Sequence, residues 1–288
     1  MEIINRRHRM ISVARKVRRE PEKTIGLVPT MGALHEGHLS LVREARRLCD
    51  IVVVSIFVNP TQFGKGEDFG GYPRDLTQDI AQLTDYSIDY IFAPTVEEMY
   101  PNGFGTYVSV EGVTDELEGA ARPGHFRGVA TVVSLLLNIV RPDFAFFGQK
   151  DYQQCVVVKR LARDLAFDTE IVMQPTVREE SGLAMSSRNT YLNDEERAAA
   201  SIIYRALKAA RAAWKNGERH AAKLAGATRA MLETEPRIKV DYVSVNDAET
   251  LAKLERLDDD HEAVVTVAVK FADKVRLIDN FILNRRKE

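Results

Sequence analysis

The sequence predicts an α/β fold in which a doubly wound parallel sheet is followed by a second, smaller α+β domain. Three observations carry that expectation. Short, fully apolar runs alternate with segments of helical period as far as Pro175, the pattern of parallel strands covered on both faces by crossover helices. Beyond Pro175 the order changes to Ala-rich helical segments and then to strand-like runs, as in α+β domains. With 288 residues, 45% of them hydrophobic, the chain can bury one large or two ordinary cores.

In chain order, a basic cluster of Arg6, Arg7, Arg9, Arg15, Lys16, Arg18 and Arg19 reads as the solvated face of a first helix. Neither the apolar stretch of a signal peptide nor a small-residue cleavage site follows it, so a targeting peptide is not expected. Residues 25–28, 51–58, 90–93, 144–147 and 170–173 read as strands, and residues 37–49, 74–86, 129–140 and 152–165 as helices. "RPD" at 141–143 closes the third of these helices before a strand resumes. The repetition is Rossmann-like, and it places a boundary near Thr176, with a first domain over 1–176 and a second over 177–288. In the second, a Ser-rich turn at 181–189 precedes helices over 194–214 and 218–232 and strands over 238–245, 263–269 and 275–283.

Composition excludes several classes. Forty basic and 42 acidic side chains leave a formal charge of -2, with no general pull toward nucleic acid or membrane. No apolar stretch approaches the ~18 residues of a membrane span. The only two cysteines, Cys49 and Cys155, are far apart in sequence and fall in expected helices. That argues against a disulfide framework or a CxxC metal site and fits a reducing cytoplasm. A cytoplasmic enzyme working on small molecules, with no nucleic-acid or membrane partner, is expected.

The densest chemistry lies in "LVPTMGALHEGHLSLVREAR", residues 27–46, which runs from a strand through Pro and Gly into a helix and holds two of the six histidines. Ligands of open parallel sheets bind beyond the carboxyl ends of the strands, where helix N-termini present N–H groups and a positive dipole end. His35 and His38, three apart, can face one side there, and Gly32 and Gly37 let the backbone approach a ligand. Two imidazoles at a helix N-terminus suit phosphate. Two incidental surface histidines are the bland alternative. A zinc site is another, although metalloproteases need HExxH and this is HEGH.

The strand-linked HxGH resembles the signature of the nucleotidyltransferase superfamily. Further blocks narrow the likeness: "VVSIFVNPTQFG" at 53–64, "YPRD" at 72–75 with Asp79 behind it, "PGHFRGVATVV" at 123–133, "FFGQKDYQQ" at 146–154 and "MSSRN" at 185–189. Together with "PTMGALHEGHLSLV" they resemble the pantothenate synthetase (pantoate–β-alanine ligase) family, in family order over nearly the whole chain. The resemblance implies ATP-dependent condensation of (R)-pantoate with β-alanine through pantoyl adenylate, giving pantothenate, AMP and pyrophosphate. It also implies a cytoplasmic homodimer whose ATP is bound with Mg2+, and a lid function for 177–288.

The residues the resemblance assigns are specific. His38, His35, Lys150 and Arg188 are implied to be catalytic. ATP is implied to be bound by Met31, Gly32, Ala33, Leu34, His35, Glu36, Gly37 and His38, by Gly148, Gln149, Lys150 and Asp151, and by Val177, Met185, Ser186, Ser187 and Arg188. Pantoate and β-alanine are assigned to Met31, Gln62 and Gln154, and Asp79 to a magnesium ion bridging phosphates. Residue chemistry agrees: Lys150 offers a mobile cation beyond a strand, Ser186, Ser187 and Arg188 suit phosphate oxygens, and a Gln amide both donates and accepts. Gln149 stands where Glu is expected and Asp75 where Thr is usual. Two alternatives stay open: another HxGH nucleotidyltransferase or adenylate-forming enzyme acting on a small acid, and a non-catalytic nucleotide- or RNA-binding module.

Overall fold

The structure, a computed structural model, describes residues 1–64, 66–258, 262–272 and 275–283. By compactness the chain divides into two units, Met1–Gly148 with Gln153–Pro175, and Gln149–Tyr152 with Thr176–Glu288. The first unit contains β1 (Glu2–Ile4), α1 (Arg7–Val17), β2 (Ile25–Thr30), α2 (Glu36–Leu48), β3 (Ile51–Ile56), α3 (Leu76–Leu83) and β4 (Tyr90–Phe92). It continues through the short helices α4 (Val96–Met99) and α5 (Glu118–Ala121) to α6 (His125–Val140), β5 (Phe144–Gly148), α7 (Tyr152–Asp164, whose first residue groups with the second unit) and β6 (Glu170–Gln174).

Its six strands are all parallel, in the order β1-β4-β3-β2-β5-β6. From β2 the chain winds outward through β3 and β4, then returns to the other side for β5 and β6. The order therefore reverses between β2 and β5, where an open sheet has its ligand crevice. Those two strands pair only at Gly26↔Phe144 and Leu27↔Ala145. Pro29, which has no N–H to give a ladder, sits beyond that pairing.

Apolarity drives this assembly. In β3, Val52, Val53 and Val54 are fully buried, as expected of a strand covered on both faces. Helix α2 buries Leu39, Leu41, Val42 and Ala45 on one stripe, and roughly 1.5–3 kcal/mol for each large aliphatic side chain holds it on the sheet. Among the described residues no helix is long and apolar enough to cross a membrane.

The second unit holds α8 (Asp194–Ala200), α9 (Ile202–Lys215) and α10 (Ala221–Leu232), then the antiparallel sheet β7-β8-β9 (Ile238–Asp247, Ala263–Phe271, Val275–Leu283). Its core joins Ile203, Leu207, Trp214 and Leu224 of the helices to Val265, Val267 and Phe271 of the sheet.

Four local expectations change. Glu2–Ile4 forms an unforeseen edge strand, because a run of three residues with one buried position carries no readable period. Cys49 is not helical but extended, just past α2. The expected helix over 194–214 is two helices meeting at Ser201. Finally, Gln149–Tyr152, which a boundary near Thr176 assigns to the first domain, packs with the second unit.

Candidate active site

The loop after β2 is built from unusual backbone. Gly32 has φ 79° and Ala33 φ 49°, two successive left-handed residues, of which the second bears a Cβ and is strained by about 1 kcal/mol or more. Asp79 on α3 offsets that cost: its Oδ2 accepts from Ala33 N at 3.1 Å and its Oδ1 from Leu34 N at 2.8 Å. A Cβ at Gly32 would stand 2.7 Å from Asp79 Oδ2, so glycine is required there twice over. Thr30, closing β2, donates its hydroxyl to Ser55 O at 2.8 Å and accepts from Gly32 N at 3.2 Å.

Asp79, expected near a magnesium ion, is the support of the loop backbone. The side chain is 2% exposed. Burial pushes its carboxyl above the usual aspartate range, while the N–H groups of Leu34 and Ala33 pull the other way. Its two oxygens are on backbone, and among the described residues no group of three or more His, Cys, Asp or Glu is arranged to hold a metal.

The loop delivers His35 to the N-cap of α2, where its Nδ1 accepts from Gly37 N at 3.1 Å. An Nδ1 that accepts carries no proton, so the imidazole proton is on Nε2. The His38 ring lies 4.1 Å from the His35 ring, centroid to centroid. Glu36, in the first turn of α2, is ion-paired to Arg43. The HxGH segment is therefore two adjoining imidazoles at a helix N-terminus, at the reversal point of the sheet.

The 3₁₀ turn Pro60–Gln62 follows β3 and carries Gln62, 9% exposed. The polarity of its amide is set by a chain of fixed partners. Asn59 Oδ1 accepts from Tyr100 Oη at 2.7 Å, Thr61 Oγ1 at 2.9 Å and Thr61 N at 3.3 Å. Its Nδ2 then donates to Gly128 O at 3.2 Å and Gln62 Oε1 at 3.0 Å. Backbone N–H and C=O cannot exchange roles, so Asn59 has one orientation and Gln62 must turn its Nε2 toward Met31, whose sulfur lies at 3.2 Å. A Cβ at Gly128 would be 2.3 Å from Thr61 O, so α6 reaches this turn only through a glycine.

"QQ" at 153–154 is resolved by burial. Gln153 accepts from Glu118 N at 2.9 Å and donates to Val113 O and Glu116 O, each at 2.9 Å. Gln154, its neighbour, is only partly buried.

In the second unit, Gln149–Tyr152 is held by β9 and its neighbours. Asn280, 2% exposed, donates to Gln149 O at 2.9 Å and Lys150 O at 3.0 Å, and accepts from Gln149 Nε2 at 3.1 Å. Tyr152 Oη donates to Ala248 O at 2.8 Å. Gln149 thus supplies a donor that Glu lacks, because Asn280 Nδ2 is already committed to carbonyls. Lys150 Nζ is 3.9 Å from Asp151 Oδ1, a loose pair. The other departure is neutral: Asp75 caps α3, its Oδ1 accepting from Gln78 N at 2.9 Å, which Thr can also do.

Also in the second unit, Met185 N donates to Val177 O at 3.0 Å, and Ser186 caps the 3₁₀ turn Ser187–Tyr191 by accepting from Arg188 N at 3.2 Å. Asn189, 2% exposed, ties this turn down by donating to Glu179 Oε1 at 2.8 Å and Ala184 O at 3.1 Å. Below it, Arg178 makes a bidentate pair with buried Asp279 at 2.6 and 2.9 Å. Within the first unit the structure brings together Met31, His35, His38 and Asp79 on one loop and its support, with Gln62 against Met31. Within the second it anchors Lys150 and Arg188 on separately buttressed turns.

Sequence reasoning missed Asn59, Tyr100, Asn280 and Asn189. "NP" at 59–60 is a turn signal, so Asn59 could have been found; Tyr100 and Asn280 act from distant segments and left no local mark.

The family model of pantoate-beta-alanine ligase matches residues 2–282. The pantothenate synthetase of Chloroflexus aurantiacus is 57% identical over 259 residues, which are 90% of this chain and 92% of that one. That of Syntrophomonas wolfei is 51% identical over 284 residues, 98% and 99% of the two chains. Among solved structures, pantothenate synthetase from Thermus thermophilus matches with a TM-score of 0.91 at 47% identity, over 99% of this chain and 100% of that one. The pantoate-beta-alanine ligase of Francisella tularensis, complexed with beta-gamma ATP and beta-alanine, matches with a TM-score of 0.79 at 35% identity, over 98% and 97%.

Proposed function

Since the chain belongs to the pantoate–β-alanine ligase family, we propose that it condenses pantoate with β-alanine, using ATP, to form pantothenate. The observation that carries the residue-level reading is the HxGH loop: His35 with its proton on Nε2, beside His38, at the N-terminus of α2. Helix N-termini favour anions through N–H groups and the helix dipole. Donors in that position suit the outer phosphates of a nucleotide, so attack is directed to the α-phosphorus.

The reaction then has two steps. A pantoate carboxylate oxygen bonds to the α-phosphorus and the bond to the bridging oxygen breaks, releasing pyrophosphate and leaving pantoyl adenylate. The β-alanine amine next bonds to the acyl carbon, loses a proton, and expels AMP. His38, His35, Lys150 and Arg188 stabilise the phosphate charge as it develops, the kind of contribution that preorganised donors make. Residues 31–38 and 148–151, with Val177 and 185–188, bind ATP, while Met31, Gln62 and Gln154 bind the small acids. Gln62 presents N–H groups, so it meets an acceptor oxygen of pantoate. Residues 177–288 act as the lid domain, and the resemblance adds a cytoplasmic homodimer.

Magnesium enters as part of the nucleotide substrate, carried on its phosphates. Asp79 supports the loop by accepting from Ala33 and Leu34, and its remaining lone pairs suit the magnesium contact that the resemblance implies.

Isotope exchange between pyrophosphate and ATP tests the reading. Exchange should require pantoate and not β-alanine, and with β-alanine added one oxygen of a heavy-oxygen pantoate carboxylate should appear in AMP. Release of ADP with labelled inorganic phosphate would overturn the adenylate route.

A further inference from the structure

The block "ARPGHFRG" at 121–128 lies outside the residues assigned to ATP or to the small acids, yet it sits against Gln62. Arg122 ends α5 and His125 begins α6; between them Gly124, with φ 83°, turns the chain and His125 N donates to Arg122 O at 3.0 Å. That tight turn brings the two side chains together. Arg122 Nη1 is 3.1 Å from His125 Nε2, and His125 Nδ1 is 2.8 Å from Gln62 O.

The polarity of both contacts is fixed by the partners. A guanidinium only donates and a carbonyl only accepts, so His125 must accept at Nε2 and donate from Nδ1. This is one neutral tautomer. Arg122 is held in turn by Glu67, with bonds of 2.7 and 2.6 Å to its two oxygens, and it reaches Gln62 O at 3.4 Å. Burial and the neighbouring Arg122 charge lower His125 to about 4, in keeping with that tautomer. Gln62 is thereby gripped twice: its side-chain oxygen by Asn59 and its backbone carbonyl by His125.

We propose that His125 and Arg122, braced by Glu67, are positioning residues for pantoate, fixing the backbone of Gln62 so that its amide N–H groups stand ready for a substrate oxygen. The inference rests on the assignment of Gln62 to pantoate. His125 does not touch the acid in this account; it acts through Gln62, as a supporting hydrogen bond orients a ligand-binding group.

Isosteric variants of the full-length enzyme separate this from a packing role. The side-chain nitrogen of Asn coincides with Nδ1 of histidine, whereas that of Gln coincides with Nε2. His125→Asn should keep the bond to Gln62 O and leave the pantoate KM within about threefold of the parent. His125→Gln should lose that bond and raise the pantoate KM about tenfold or more, with the ATP KM within about twofold. Combined with Gln62→Ala, His125→Gln should add little to the effect of Gln62→Ala alone, because both act through one group. Equal pantoate KM values for the Asn and Gln variants, or additive effects in the double variant, would overturn the proposal. Gln62→Ala is the reference: if it leaves the pantoate KM unchanged, the assignment of Gln62 fails and the inference falls with it. A raised value there, with no effect of His125→Gln, sinks the inference alone. Should His125→Gln not fold, Glu67→Gln, at a partly exposed site, carries the test: a pantoate KM raised several-fold supports the brace, and an unchanged one overturns it.

Discussion

The loop 31–38 is held from behind by a carboxylate that accepts backbone N–H groups, whereas Gln149–Tyr152 is held by a carboxamide and a hydroxyl that donate to backbone carbonyls. The difference follows from backbone geometry. Consecutive left-handed residues turn N–H groups inward, and Asp79 collects them. A 3₁₀ turn leaves carbonyls exposed, and Asn280 covers those of Gln149 and Lys150, while Tyr152 ties the end of the segment to Ala248 O. Charge follows from this: the loop with imidazoles carries a carboxylate beneath it, whereas the backbone of the turn with Lys150 is braced by neutral groups and Lys150 itself makes a loose pair with Asp151.

The first loop breaks most deeply at its reactive end. His38→Ala should lower the rate of pyrophosphate release about 10²- to 10³-fold, the scale for losing one preorganised donor, with little change in thermal unfolding. A folded variant with near-parental turnover removes His38 from the chemistry.

Next in size is the brace itself. Asp79→Ala strips partners from the N–H groups of Ala33 and Leu34, at about 1–3 kcal/mol for each buried group left unpaired. The denaturant midpoint should fall and the ATP KM should rise about tenfold; Asp79→Asn, which keeps one acceptor oxygen, should fall between. An Ala variant that unfolds at the parental midpoint would show that Asp79 does not hold the loop.

The turn at Gln62 sharpens the comparison, since a neutral imidazole is one of its anchors. His125 titrates at about 4 in the fold and near 6.5 in an unfolded chain. Its unfolded form therefore takes up a proton first as pH falls. The stability it contributes is complete above pH 6.5 and is lost toward pH 4, by up to roughly 3 kcal/mol. Arg122 opposes protonation, and Glu118 and Glu67 favour it weakly. Burial pushes the Glu67 carboxyl up, but Arg122 outweighs it and holds Glu67 at about 2, so that contribution fades only in the more acid window below about pH 4.5. Urea unfolding across pH 4 to 7 should show a steep decline that His125→Asn flattens; parallel curves would refute it.

The smallest effects concern the second turn. Asn280→Ala removes the partners of Gln149 O, Lys150 O and Gln149 Nε2, and should cost about 1–3 kcal/mol and weaken ATP use several-fold. Gln149→Glu loses one donor and should change the ATP KM less than about threefold. Equal effects of the two would mean that the carbonyl bonds made by Asn280 do not matter.

The parallel sheet was legible from β2 to β6 because those strands and the longer helices between them signal themselves within a few residues, whereas β1 carries no readable period. So was the place of His35 at the N-terminus of α2, which depends on its own neighbours. Asp79 was visible as a helical acid, but its partners lie more than forty positions away, so a metal contact and a loop brace read alike. Gln153 and Gln154 are the same residue side by side, and which of them bonds to the 113–118 segment follows from the face of α7 that is buried.

What the sequence by itself determined is local: apolar period, turn residues, the HxGH spacing and the order of motifs, all expressions of chain-neighbour chemistry. Tertiary structure decided which polar groups were already taken. Asp79 is committed to Ala33 and Leu34, Gln149 to Asn280, and Gln62 is oriented by Asn59 and held by His125. A hydrogen bond is made by atoms within about 3 Å whatever their separation along the chain, and that separation is what a sequence does not display.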